Sequence, residues 1–364
     1  MSDENFQIKE ESDIYPCSSC GANMYYNPKT EGLYCDFCSS SEEIEKIVFE
    51  KVEEYRLDEY EENEQKNIKE ERIIHCDNCG AETTVSSDTK AVYCPFCGSS
   101  HIIKENNKSA RIKPETIIPF KIDRNSAKEN FKKWIKKKWL APRKLKVEAE
   151  SEKLQGVYIP YWTYDSDTST DYIAERGTHY YVSRTVTRNG KTTTERERRT
   201  SWKTVRGHLD KYYDDIMVPA SNKHQSNLLD KIDNFNLENL IKYNPKFLSG
   251  FMAERYSVNL QDAWIEGQER IDQIMYSDIR REVGGDEFRL TSKNTIHKDV
   301  LYKHFLVPLW ISNYMYRGKL FQYVINGENG RVEGYYPKSY FKIAGLVILA
   351  LGLGYLAYRY ISQN

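Results

Sequence analysis

A chain of 364 residues, 29% of them charged and 13% aromatic, is long enough for two or three domains. The net charge is −1 but unevenly spread: residues 1–75 carry 8 Lys and Arg against 20 Asp and Glu, a balance of −12, and the rest balance at +11. So acidic a front end argues against nucleic-acid binding there, because phosphate contact runs on Lys and Arg.

After an acidic tail at 1–16, all eight cysteines fall into two matching quartets, Cys17, Cys20, Cys35, Cys38 and Cys76, Cys79, Cys94, Cys97. Each reads C-x2-C, fourteen residues, C-x2-C, and the two align at a constant offset of 59 residues, so one module is used twice. Zinc takes four thiolates in a tetrahedron, and two cysteines two apart reach one ion from a tight turn. Gly21, Gly80 and Gly98 follow their knuckles; Ser39 alone breaks the rule. A secreted disulfide pair is the competing reading, but the opening MSDENFQIKEE is acidic where a signal peptide is basic. A redox C-x-x-C needs a βαβ setting that the pattern does not supply. Residues 17–40 and 73–104 are therefore expected to be two zinc ribbons, each on one structural Zn2+. Four thiolates close the coordination shell and leave no catalytic water. His75 and His101 flank the second ribbon without a ligand vacancy to fill. Only Lys29 and Lys90 lie between the knuckles, so the ribbons read as an acidic arm for a protein partner.

Between the ribbons, Ile44, Ile47, Val48, Val52 and Tyr55 recur at helical spacing after Ser41, a residue suited to the cap. The segment 41–72 is expected to be a helix that gives way beyond Tyr60 to a charged, solvated spacer.

Residues 105–337 read as an α+β body. A helix is expected at 126–140, capped by Asn125 or Ser126 and stopped by Pro142. It sets Phe131, Trp134, Ile135 and Trp139 on one face and lysines on the other. Such a helix either packs its aromatics inward or lies on an anionic membrane. Residues 157–209 are strand-rich, with a hairpin turning at Asn189-Gly190 and projecting from the core. Gly190-Lys191-Thr192 is not a phosphate loop, because Thr185 stands where its first glycine belongs. Asp165, Asp167 and Asp171 are a clustered set of carboxylates that could belong to an enzyme site in the body, but no motif backs that and a solvated turn explains them at least as well. Leu260, Trp264, Ile271, Ile274, Met275 and Ile279 mark a long helix. Gly284 to Phe288 spells the diguanylate cyclase loop but lacks its upstream setting, so a Gly-Gly turn opening a strand accounts for it. Three antiparallel strands should follow through 337, with turns at Arg317-Gly318 and Glu328-Asn329-Gly330.

Residues 343–358, IAGLVILALGLGYLAY, contain no charge. As a helix they span about 24 Å, and Lys342 and Arg359 can extend that reach toward a hydrocarbon core of about 30 Å. Tyrosines at both edges suit the interface. A transmembrane helix at 340–360 is expected to tail-anchor the chain in the cell membrane. Lys338 and Lys342 on the near side, and thiolates needing a reducing compartment, place the body in the cytoplasm.

The two ribbons, IIPFKI at 117–122, GVYIPYWTYD at 156–165, VGGDE at 283–287, the stretch 307–337 and the tail helix together resemble a bacterial family of tandem zinc-ribbon proteins with a C-terminal membrane helix, the YdjG-like type. Its members are often mislabelled as primosomal protein N′ or PriA-like helicases. The resemblance implies a membrane-associated protein, with some relatives encoded near stomatin/flotillin-like and phage-shock-like membrane-stress proteins. Ser39 departs from the family's usual glycine, which implies a looser first ribbon. The residues themselves supply no helicase phosphate loop, no G-x-S-x-G and no H-E-x-x-H. The expected function is a non-enzymatic adaptor whose ribbon arm recruits a cytoplasmic protein. The alternative is a membrane-tethered nucleic-acid binder using the basic stretch Lys132 to Lys146.

Overall fold

The computed structural model describes residues 14–47, 54–59, 68–85, 93–100, 102–110, 112–142, 154–188, 191–222 and 228–363. Within them the chain is α+β. A small antiparallel sheet is built from β1 (Tyr25–Asn27), β2 (Gly32–Tyr34) and β3 (Ser41–Glu43). A 12-stranded mixed sheet takes the remaining strands. Its early members are β4 (Tyr55–Arg56), β5 (Ile68–Cys76), β6 (Glu82–Val85), β7 (Ile102–Ala110) and β8 (Thr116–Ile117). The long hairpin of β9 (Gln155–Arg188) and β10 (Lys191–Pro219) comes next, followed by β11 (Ile241–Lys242) and β12 (Met252–Glu254). The sheet ends with β13 (Glu287–Tyr316), β14 (Lys319–Asn326) and β15 (Val332–Gly334). The helices are α1 (Arg124–Lys137), α2 (Leu228–Ile232), α3 (Leu260–Val283) and α4 (Tyr340–Gln363).

The spine is the antiparallel pair β9 and β13, joined from Gln155 opposite Ile311 to Gly177 opposite Glu287, with register shifts between Leu290 and Ser292 and between Lys298 and Leu301. Side chains alternate across a strand, so this spine feeds two cores. Tyr158, Leu306, Trp310, Tyr323 and Ile325 enter one core. Val157, Ile159, Phe305, Val307, Leu309 and Val324 enter the other. The first cysteine module and α1 cover the former face; the second module and α2 cover the latter.

Farther along the spine α3 lies over β9, β10 and β13, burying Ile271, Met275, Ile279 and Val283 against Tyr172, Ala174 and Tyr213. Asn259 caps it by accepting from the Asp262 N–H at 2.8 Å. Of the residues expected on its inner face, Ile274 is instead exposed. At Gly177 the third strand begins, and a Cβ there would meet Thr200 Cγ2 at 2.8 Å and Glu287 Cβ at 2.9 Å. From Thr178 to Arg188 only β9 and β10 continue, a projecting ribbon of roughly 36 Å at about 3.3 Å per residue. Its turn, Asn189-Gly190, lies outside the described residues. Gly284 and Gly285, both at positive φ, end α3 and open β13, which is the turn expected there.

Three expectations change. The segment after the first module does not begin as a helix: Ser41–Glu43 pairs with β2 as strand, Tyr55–Arg56 pairs with β13, and Ile68–Cys76 is strand. Pairing with β2 and with β13 outweighs the helical spacing of Ile44 and Ile47; Val48 and Val52 lie outside the described residues. The helix expected at 126–140 starts earlier and stops at Lys137, because Asp123 is the cap, accepting from the N–H groups of Asn125 and Ser126. Finally, the cysteine modules are not an arm set apart from the body. Tyr26 stacks among Phe247 and Phe251 and donates its hydroxyl to the Phe120 carbonyl at 2.9 Å. β6 of the second module pairs with β12 in the main sheet.

Candidate metal centres

Each module is a pair of knuckles with the same backbone. Cys17, Cys35, Cys76 and Cys94 open them, and their carbonyls accept from the N–H four residues on, at Gly21, Ser39, Gly80 and Gly98. Those four acceptor turns need a left-handed residue. The φ values are 75°, 61°, 66° and 72°, so Ser39 takes the glycine conformation. The knuckle wraps its backbone around the sulfurs and turns both of them to one point.

Within each quartet the sulfurs lie within 4.8 Å of one another. Cys17 to Cys38 and Cys20 to Cys35 are both 3.5 Å apart. Cys76 to Cys97 is 3.6 Å and Cys79 to Cys94 is 3.7 Å. Four thiolates bound to zinc at about 2.3 Å stand about 3.8 Å apart along each tetrahedral edge. The eight thiols are free rather than bridged, and their spacing fits a metal ion held at the centre of each quartet. All eight cysteines predicted from the sequence are thus brought together in the two expected groups.

The thiols do not titrate alike. The Ser40 hydroxyl, 2.9 Å from the Cys17 sulfur, holds that thiol down to about 6. Cys94, hydrogen-bonded to Cys79, holds Cys79 down to about 5, and the same contact with burial pushes Cys94 far up. Sulfur atoms this close cannot all ionise unaided; a divalent cation removes the repulsion and releases the protons. Each knuckle opens with a buried cysteine and ends with a more accessible one, and the second module is the more enclosed.

The two modules present equivalent residues to different surroundings. Phe37 and Phe96 occupy the same place in the repeat, next to the last cysteine. Phe96 is 4% exposed and Phe37 is 84% exposed. The body holds the second knuckle through Asn313 Nδ2, donating to the Pro95 carbonyl at 2.7 Å, and Gln322 Nε2, donating to the Phe96 carbonyl at 3.0 Å. Sequence reasoning missed Phe37, Ser40, Asn313 and Gln322. The 59-residue offset pairs Phe37 with Phe96 and Ser40 with Ser99, a signal that could have found the first two.

Among the described residues, other chemistry-bearing groups form smaller clusters, one of them the carboxylates of Asp165, Asp214 and Asp215. His75 sits 3.9 Å from Glu82 at the module's rim, and His101 lies outside the described residues. Ser169, His208 and Asp171 lie in a row, with sulfur-free contacts of 3.4 and 2.7 Å. Asp210 also reaches His208 Nε2 at 3.1 Å, and the carboxylates of Asp171 and Asp210 raise the imidazole above its ordinary value. Asp165 is not in a solvated turn: it is buried, and its Oδ1 accepts from the Asp215 N–H at 2.7 Å. Lys303 lies beside it, 2.6 Å from Asp215 and 3.2 Å from Glu54.

At the other end, Tyr340–Tyr360 is long and apolar enough to cross a membrane and none of it is buried against the body.

The chain is similar to a protein of Bacillus subtilis (strain 168), "Uncharacterized protein YdjG". The two are 28% identical over 350 residues, 96% of this chain and 97% of the relative, so the likeness covers modules, body and tail helix alike. No family model matches the chain, and no solved structure matches it.

Proposed function

We propose that this chain is a membrane-anchored zinc-ribbon protein that recruits a protein partner through its first ribbon, without catalysis of its own. The observation that carries the reading is the contrast between Phe37 and Phe96. One copy of the repeat seats its phenylalanine in the body; the other holds the same side chain out, 84% exposed, on a knuckle that a metal bound by the first quartet would stiffen. A rigidly mounted aromatic on an acidic surface is a protein-binding anchor more than a nucleic-acid one. The metal would be zinc held by Cys17, Cys20, Cys35 and Cys38 in one site and Cys76, Cys79, Cys94 and Cys97 in the other, supplying structure alone. The helix Tyr340–Tyr360 would be the single span, with the body in the cytoplasm.

A photo-crosslinking residue placed at 37 in the full chain, in its native cells, tests this. The reading expects a discrete protein adduct from position 37 and none from position 96. Adducts with nucleic acid that vanish at high salt would replace it with the tethered nucleic-acid reading.

A further inference from the structure

We propose that the lysine face of α1, together with Trp139, binds the anionic headgroups of the bilayer that holds α4. The proposal rests on the reading of α4 as a membrane span.

The end of α1 is fastened to the start of α4. Lys342 Nζ donates to the carbonyls of Trp139 at 2.5 Å and Ala141 at 2.8 Å, and the Ser339 N–H donates to the Leu140 carbonyl at 2.8 Å. These bonds join segments some two hundred residues apart and set the last turn of α1 at the level where the uncharged run begins at Ile343. Tyr340 and Phe341, at that level, are 72% and 86% exposed, as an aromatic interface requires.

What α1 presents there is cationic. Ala127, Phe131 and Ile135 face the core, while Lys132, Lys133, Lys136 and Lys137 are exposed. Lys132, Lys133 and Lys137 make no ion pair with any described residue. Lys138 is held over the Trp134 ring at 4.8 Å, and Trp139 is 56% exposed. No Asp or Glu occurs between Asn130 and Val147; of the helix's own acidic groups, the Asp123 cap stands at its other end and Glu129 lies one turn before Lys132 and Lys133, leaving a cationic excess at the end near Trp139. At 1.5 Å per residue the lysines from 132 to 138 lie within about 10 Å of the fastening point along the helix axis. That is near the screening length of about 8 Å at physiological salt, so a charged surface at that level is felt by all of them. Anionic headgroups are the partner of matching charge, and an exposed tryptophan beside them suits a lipid interface rather than open water.

The test uses the full chain reconstituted into vesicles of phosphatidylcholine and phosphatidylglycerol, with one lipid or the other carrying bromine to quench tryptophan. The expected result is stronger quenching by brominated phosphatidylglycerol at equal mole fraction. That preference should disappear in Trp139→Phe and weaken in high salt. A surface lysine is worth roughly fivefold in anionic-lipid association. The triple variant Lys132→Gln, Lys133→Gln, Lys137→Gln should therefore bring the preference close to unity. These positions are exposed, so the variant keeps its core. Equal quenching by both lipids in the unmodified chain overturns the headgroup proposal while leaving the anchor intact. A chain that does not float with vesicles of any composition overturns the anchor reading and this proposal with it.

Discussion

Ser39 holds the left-handed conformation, φ 61°, that glycine takes at positions 21, 80 and 98. A Cβ in that region is strained, and the strain sits on the turn that aims Cys35 and Cys38. Ser39→Gly should stabilise the first module by about 0.5–1 kcal/mol. Metal transfer from that module to a chelator should slow, with the second module unchanged. Asp165 offers a second residue-scale test. Burial raises its carboxyl to about 6, whereas the unfolded chain titrates near about 3.9. The native state therefore holds the proton more tightly, and the stability this contributes in acid is lost as pH rises through 6. Asp165→Asn keeps an acceptor for the Asp215 N–H. It should stabilise the fold at neutral pH by about 1 kcal/mol after screening, read as a higher melting temperature, and have no effect below about pH 4. Lys303 is also raised, but for a lysine that favours the charged form present at neutral pH. Burial pulls it down, yet the carboxylates of Asp215, Asp165 and Glu54 push it up to about 12. Lys303→Met strands buried carboxylates and should destabilise the fold by about 3 kcal/mol, read by denaturant unfolding. The cysteines were legible because ligand spacing is a local property of the chain. Asp165 was not, since its burial is made by Asp215 and Lys303, far away in sequence.

At the scale of elements, the pattern located the long helix at 260–283, the apolar tail helix and the pairing of β9 with β10, but neither the strands between the two modules nor the strand lengths. β9 and β10 run for 34 and 29 residues, and their outer halves, rich in charge and threonine on both faces, carry no hydrophobic cue for where a strand ends. The modules carry the larger lesson. Their knuckles could be read from eight letters, but their attachment could not: Tyr26 reaches Phe120, and β6 joins β12, through contacts that no local pattern encodes. That attachment sets a prediction. Cys76, Cys94 and Phe96 share a core with Phe305, Val307 and Leu309. The pair Cys76→Ser, Cys79→Ser should therefore lower the cooperative unfolding of the whole sheet rather than loosen one module. Hydrogen exchange at Phe305–Ile311 checks this; protection left intact there would show that the module unfolds alone.

For the molecule as a whole, the sequence separates an acidic front from a basic remainder, and the structure folds the two together across one sheet. The basic helix and the apolar tail, distant in the chain, meet at Lys342. The two metal modules fasten opposite faces of the spine, and the first is joined to the last-made part of it. Tyr26 packs on Phe251, and its neighbours in the same core include Tyr323 and Ile325. At about 5–20 residues per second of synthesis, the partners of Tyr26 follow it by roughly 10 to 60 seconds. During that interval the first module must keep its shape with its apolar side uncovered. A metal ion can hold it so, because four thiolates bind without help from the rest of the chain. On the proposed metal loading, metal supply during translation, rather than supply to the finished protein, is what would set how much of this chain reaches its folded state.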